Sequence, residues 1–265
     1  SRGLKTYTEA QFSGAIYQRG IEKNITMNTV ELFAGTRSFS KIADAVGYRT
    51  FTTDLEYIDG QNLVADIRKL SGVDFPNRPD FLWASPPCEG FSVASIGANW
   101  TGGYRGYVPK SDTARRSIDL VNQTGRIIKE ISPVWWFIEN PRGLLRKLDL
   151  VPPGAILNTV TYCQYGDSRM KPTDIWTNAH WWKPRQMCKN GMPCHVSAPR
   201  GSKTGTQGIK SYKDRSRIPP ALFKEIFKQH QNHVRQSTKK NRHNETDRRI
   251  KPYSPGNDTR SVAGS

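Results

Sequence analysis

The chain reads as an α/β protein, a parallel sheet wrapped by helices and carrying a small basic appendage. Three observations predict this. Short apolar strands alternate with helical stretches from Asn28 to about residue 138. The residues that could do chemistry fall just past strand ends, where ligands of such sheets bind. After Asn178 the texture changes to a basic, Pro- and Gly-broken stretch with no sustained period.

Taken in order, Thr8 could cap a short helix ahead of the first core strand. The spacing then predicts a strand over 28–33, a glycine turn at Phe33-Ala34-Gly35, a helix over 38–46 and a strand over 48–53 that ends in Asp54. A further strand over 80–84, a helix over 112–131 and a strand over 134–138 follow. Trp135 and Trp136 read as core residues of that last strand, because aromatics there bury large areas. Past residue 217, Ile218-Pro219-Pro220 open a helix with an apolar face of Leu222, Ile226 and Phe227, prolines being well suited to a first helical turn. From residue 233 onward apolar content almost vanishes, which predicts a flexible tail.

Charge is distributed unevenly. The net charge is +17; residues 1–178 hold 21 Lys and Arg against 18 Asp and Glu, and residues 179–265 hold 19 against 5. A near-neutral body with a strongly basic last third is the electrostatic footprint of a polyanion binder. No apolar run approaches the about 20 residues needed to span a bilayer. The start of the chain lacks a secretory apolar stretch, so an intracellular, non-secreted protein without membrane association is expected. Four cysteines in this length do not suggest a disulfide framework.

The most telling run is Ser85-Pro86-Pro87-Cys88-Glu89-Gly90. A cysteine just past an apolar strand, with two prolines fixing its backbone, is poised for reaction rather than packed. Val134 to Ile138, some 50 residues on, lead into Glu139-Asn140-Pro141. A thiol nucleophile and an acid at two strand ends can attack and protonate one small ring between them.

With Phe33-Ala34-Gly35, Asp66-Ile67, Pro87-Cys88, Glu139-Asn140-Pro141 and Gln164-Tyr165-Gly166-Asp167-Ser168-Arg169-Met170-Lys171 in this order, the chain resembles the DNA cytosine-5 methyltransferase family from residue 28 to about 178. The resemblance implies a Rossmann-like, S-adenosylmethionine-dependent methyltransferase fold. It implies that Cys88 adds to carbon 6 of cytosine, that Glu139 protonates ring nitrogen 3, and that Arg169 or Lys171 stabilises the base's carbonyl oxygen. Phe33, Ala34, Gly35, Thr36, Asp54, Asp66, Ile67 and Pro87 would line the cofactor site, with Asp54 on the ribose hydroxyls and Asp66 on the adenine amino group. The target base would rotate out of double-stranded DNA. RNA is the alternative substrate, and an inactive nucleic-acid-binding or assembly protein on the same fold is the alternative from another class.

The glycine-rich loop between Gly90 and Lys110 suits a lid over the substrate, with Ser92 and Arg105 facing nucleic acid. Trp181, Trp182, Arg185 and Arg200 would offer stacking and phosphate contacts. The implied organisation is an N-terminal segment (1–27), a catalytic core (28–178), a short target-recognition region (179–212), a helix packing back on the core (213–232) and the tail (233–265). Two departures from the family pattern, Arg37-Ser38 in the cofactor loop and Arg215-Ser216-Arg217 before Ile218, are expected to place positive charge beside the cofactor. Cys188, Cys194 and His195, with His180 upstream, are metal-ligand residue types. Their spacing contains no CxxC pair, so ordinary loop residues and no metal are expected, with Cys163 packed against the sheet.

Overall fold

A computed structural model describes residues 26–103, 106–189, 191–196, 209 and 211–250. The expected helix around Thr8 lies outside them. Residues Thr26–Gln229 form one compact unit, and a second unit takes up the chain again at His230.

The first unit is built on a seven-stranded sheet of order β3-β2-β1-β4-β7-β9-β8. Its strands are β1 (Asn28–Leu32), β2 (Arg49–Asp54), β3 (Leu63–Val64), β4 (Phe81–Ala84), β7 (Trp135–Pro141), β8 (Ile156–Thr161) and β9 (Pro172–Thr177). Pairing is parallel from β3 through β7, while β9 is antiparallel to both β7 and β8. A separate two-stranded ribbon joins β5 (Trp100–Thr101) and β6 (Val108–Pro109).

Both sheet faces are covered, so the central strands read as continuous apolar runs rather than alternating ones. All four residues of β4, Phe81-Leu82-Trp83-Ala84, are fully buried. Val30, Leu32, Leu82, Ala84, Trp136 and Ile138 pack on one side against α2 (Asp112–Ile131) through Val121, Ile127, Ile128 and Ile131. Ser111 caps α2 by accepting from the Ala114 amide at 3.1 Å, and Ser132 ends it in a left-handed conformation (φ 46°). On the other side Phe39, Trp83 and Phe137 meet α1 (Ser40–Ala45) and the first turns of α4 (Pro220–Ile250). There Phe223 packs edge-on to Trp83 with ring centroids 4.8 Å apart, and Phe227 edge-on to Phe81 at 5.4 Å. The short helix α3 (Tyr212–Ser216) precedes α4.

Residues 233–250, expected as a flexible tail, continue helix α4. No Gly or Pro interrupts residues 221–250, and Gln, Lys, Arg and Glu are good helix formers even without apolar neighbours. Residues 251–265 lie outside the described residues. No helix among the described residues is long and apolar enough to cross a membrane.

Candidate active site

Every strand-end residue singled out from the sequence lies along one edge of the sheet, because β1, β2, β4 and β7 are mutually parallel. At the end of β1 the chain turns sharply, with Phe33 and Gly35 both in the left-handed region (φ 55° and 49°). Asp54, ending β2, holds this turn by accepting from the Gly35 amide at 2.9 Å. Its other oxygen accepts from the Glu56 amide at 3.2 Å, so each oxygen keeps a lone pair for a further donor such as a ribose hydroxyl. A Cβ on the exposed Gly35 would meet only the Phe33 carbonyl, at 3.8 Å. The backbone there is open to a ligand, and the residues fit S-adenosylmethionine.

The sequence did not single out Glu31 as part of this loop's support. Fully buried on β1, it accepts from the amides of Phe39 (3.1 Å) and Ser40 (2.9 Å) and from the Ser40 hydroxyl, capping α1 from below. Burial pushes its carboxyl up to about 7 against the pull of these donors.

Three site expectations change in detail. Both oxygens of Asp66 are gripped by the Arg68 guanidinium, which holds the carboxyl below its ordinary range; in this arrangement Asp66 serves as a cap rather than a free adenine acceptor. The side chain of Ile67 lies in the core, leaving only its backbone for a ligand. The Arg37 guanidinium donates to Asp44 at 3.0 Å and to the Asp59 carbonyl at 3.5 Å, while its backbone takes a left-handed conformation (φ 55°) that glycine adopts without strain. Arg217 is likewise paired, with Asp214 at 3.2 Å.

Cys88 follows β4 through Pro86 and Pro87, and Glu139 lies in the neighbouring β7, buried at 5% exposure. Two contacts join their loops. Asn140 Nδ2 donates to the Pro86 carbonyl at 2.9 Å, and the Leu144 amide to the Phe91 carbonyl at 2.8 Å. The second requires glycine at 143, where a Cβ would stand 2.4 Å from the Phe91 oxygen. Glu139 accepts from the Tyr162 hydroxyl at 3.0 Å, a partner absent from the sequence reading. Burial pushes the Cys88 thiol above its ordinary range; the Glu139 charge adds to the rise and the Lys171 charge opposes it.

The two basic candidates divide. Lys171 lies over the Tyr162 ring, 4.9 Å from its centroid, and donates to the Arg215 carbonyl at 2.9 Å. It acts electrostatically on both Glu139 and Cys88, and burial lowers its pKa. Arg169 spends its donors inside the protein, on the Asp167 carboxylate and the carbonyls of Asp214, Arg215 and Arg217. Its guanidinium ties the segment before α4 to the sheet, and none of its N–H groups is left over for a base.

Nearby loops also differ from expectation. The first half of the expected lid is pinned: Trp100 donates to the Gly90 carbonyl at 2.6 Å, and Asn99 to that of Glu89 at 3.2 Å. Ser92 starts a 3-10 turn in this pinned half. Trp182 is corrected from a stacking surface to core, 1% exposed and edge-on to Phe137 at 5.8 Å, because the chain turns back over the sheet at Ala179. Trp181 packs on Trp135 at 5.4 Å. Arg185 pairs with Glu225 at 2.6 Å and lies over Tyr165. Arg105 and Arg200 lie outside the described residues.

A doubly covered, mostly parallel sheet with an open glycine turn at β1 and an acceptor at the end of β2 defines a Rossmann-like α/β protein with a candidate nucleotide-cofactor site at those strand ends. The chain belongs to the C-5 cytosine-specific DNA methylase family, whose model matches residues 27–166. It is 28% identical over 216 residues to the "Probable DNA (cytosine-5)-methyltransferase" of Frog virus 3 (isolate Goorha), covering 76% of this chain and 99% of the relative. Among solved structures it resembles a "putative DNA modification methyltransferase" encoded within a prophage of E. coli, with a TM-score of 0.43 and 15% identity, over 65% of this chain and 57% of that one. A "putative RNA methyltransferase" from Pyrococcus horikoshii superposes with a TM-score of 0.31 and 12% identity, over 63% and 79% of the two chains. The protein is therefore an S-adenosylmethionine-dependent DNA cytosine-5 methyltransferase.

Proposed function

We propose that this chain methylates cytosine in double-stranded DNA through a covalent bond from Cys88 to carbon 6 of a base rotated out of the helix. The observation that carries the reading is the electrostatic influence on Cys88 of Glu139, buried in β7, and Lys171, just before β9.

At rest the thiol is protonated, since burial and the Glu139 carboxylate both disfavour a second negative charge. As the sulfur adds to the base its proton leaves by way of Glu139, so sulfur and carboxylate never have to carry negative charge side by side. The thiolate adds to carbon 6, breaking the 5,6 π bond, while Glu139 donates its proton to nitrogen 3. Lys171 supplies positive charge beside the pair throughout. Carbon 5 thereby becomes an enamine carbon able to take a methyl group. S-adenosylmethionine, when bound, supplies that methyl group as a sulfonium-activated electrophile. Loss of the carbon 5 proton to a base, with the nitrogen 3 proton passing back to Glu139, then re-forms the double bond and expels the thiolate.

Phe33, Gly35 and Asp54 are the residues proposed to hold the cofactor, with Ala34, Thr36 and Pro87 around them. Residues 179–212 are proposed to approach the groove as a short recognition region, and the positive excess after residue 178 to bind phosphates.

DNA carrying 5-fluorocytosine tests the covalent step, because the fluorine cannot leave as a proton does. The wild-type protein with cofactor should form a denaturation-resistant adduct, and Cys88→Ala should form none while still binding DNA. An adduct from Cys88→Ala would overturn the assignment. Base rotation is read separately, by a rise in 2-aminopurine fluorescence at the target position.

A further inference from the structure

Every cysteine other than Cys88 gathers at one place. Cys163 lies on the 3-10 turn Tyr162–Tyr165 after β8, whereas Cys188, Cys194 and His195 come from the segment after β9. The Sγ atoms of Cys188 and Cys194 are 3.1 Å apart, and the His195 Nδ1 lies 3.5 Å from the first and 3.7 Å from the second. With Cys163 included, all four ligand atoms fall within 4.8 Å of one another. His180, the upstream candidate from the sequence, packs on Trp135 at 5.7 Å and is not a member.

We propose that Cys163, Cys188, Cys194 and His195 form a structural Zn2+ site that staples the segment after β9 to the turn after β8. A tetrahedral zinc with bonds of about 2.3 Å to sulfur and 2.05 Å to nitrogen sets ligands about 3.8 Å apart for S–S and about 3.6 Å for S–N. The two S–N separations match that geometry, and the sulfurs need only small movements. Four protein ligands leave no open position, which marks a structural rather than a catalytic centre. Zn2+ suits three soft thiolates and an imidazole; each coordinating thiol gives up its proton, so binding releases protons without any redox change.

The surroundings call for such a staple. Among the described residues, 183–196 contain no helix or strand. The segment is held by scattered polar contacts: the Cys188 amide to Thr161 Oγ1 at 2.8 Å, the Arg185 amide to the Tyr165 hydroxyl at 2.9 Å, and the Val196 amide to the Ser168 carbonyl at 2.9 Å. A metal replaces the missing apolar core. It would sit one residue from Tyr162, the partner of Glu139, and so anchor this side of the active site. A Cys188–Cys194 disulfide is the rival, but it needs sulfurs about 2.05 Å apart and would leave Cys163 and His195 without a role.

The test uses the full chain purified under reducing conditions. Elemental analysis should find one zinc per chain, and Co2+ exchange should produce the visible bands of a tetrahedral, thiolate-rich centre. A thiol reagent should modify Cys88 alone until a chelator frees three more cysteines. Cys194→Ser, at an exposed position, should lose the metal on dialysis against a weak chelator, while Cys88→Ala should keep it. Should Cys194→Ser fail to fold, the cobalt spectrum and thiol count of the wild type decide alone. A wild-type protein that stays metal-free after zinc loading, shows no cobalt bands, or yields a Cys188–Cys194 disulfide on peptide mapping would overturn the proposal. None of these readouts depends on methyl transfer.

Discussion

Asn140 donates from Nδ2 to the carbonyl oxygen of Pro86 at 2.9 Å, joining the strand that carries Glu139 to the loop that carries Cys88. Both partners are buried, so this bond is shielded from competing water. The relative position of thiol and acid is thus set by a side chain that itself carries no charge.

Asn140→Ala should lower stability by about 1–3 kcal/mol, the cost of leaving a buried carbonyl unpaired. Turnover should fall by roughly 10- to 100-fold because the two reacting groups lose register. Cofactor affinity, set at the ends of β1 and β2, should hardly move. Single-turnover kinetics beside cofactor titration separates the effects; a loss confined to cofactor binding would refute the clip.

The charges around Cys88 predict opposite effects on its alkylation. Glu139 raises the thiol pKa, so Glu139→Gln should increase the thiolate fraction at neutral pH and speed alkylation. Lys171 lowers it, so Lys171→Met should slow alkylation. Peptide mapping of iodoacetamide-labelled protein isolates Cys88 from the other thiols. Equal changes of one sign in both variants would refute the electrostatic assignment.

Glu31 predicts a pH-dependent stability. Its carboxyl is raised from the ordinary 4.5 to about 7, so the folded chain holds a proton that the unfolded chain releases. The contribution is fully present below the ordinary value and is lost as pH rises through about 7. Glu31→Gln, being neutral throughout, should lack this component. Denaturant melts of both proteins at about pH 5 and about pH 8 should show the wild type losing more stability than the variant on going to the higher pH.

Arg37→Gly should be close to neutral. Relief of a left-handed arginine is worth about 1–2 kcal/mol, and losing the hydrogen bonds from its mostly buried guanidinium to Asp44 and the Asp59 carbonyl costs a similar amount. Cofactor affinity should stay near that of the wild type, since the guanidinium points to Asp44. A large loss of cofactor binding, read by calorimetry, would show that Arg37 faces the ligand.

The sequence by itself determined what is local. Strands 28–33, 48–53, 80–84 and 134–138 follow from the residue pattern, whereas β8 and the antiparallel β9 do not stand out in it; helix 112–131 has the same bounds in the structure as in the sequence reading because its cap, polar face and apolar stripe all lie within it. Cys88 and Glu139 stand out for the same reason, each adjoining an apolar strand and followed or preceded by proline. Only the tertiary structure decided which partners each side chain has. Arg169 reads as a substrate contact until Asp214, Arg215 and Arg217, more than 40 residues away, are seen to take its donors. Trp182 reads as an exposed stacking residue until the chain folds it onto Phe137. Cys163 joins Cys188, Cys194 and His195 only because two loops separated by β9 meet. Hydrogen-bond capacity and coordination geometry are consumed by contacts across the fold, and residue spacing along the chain carries no record of them.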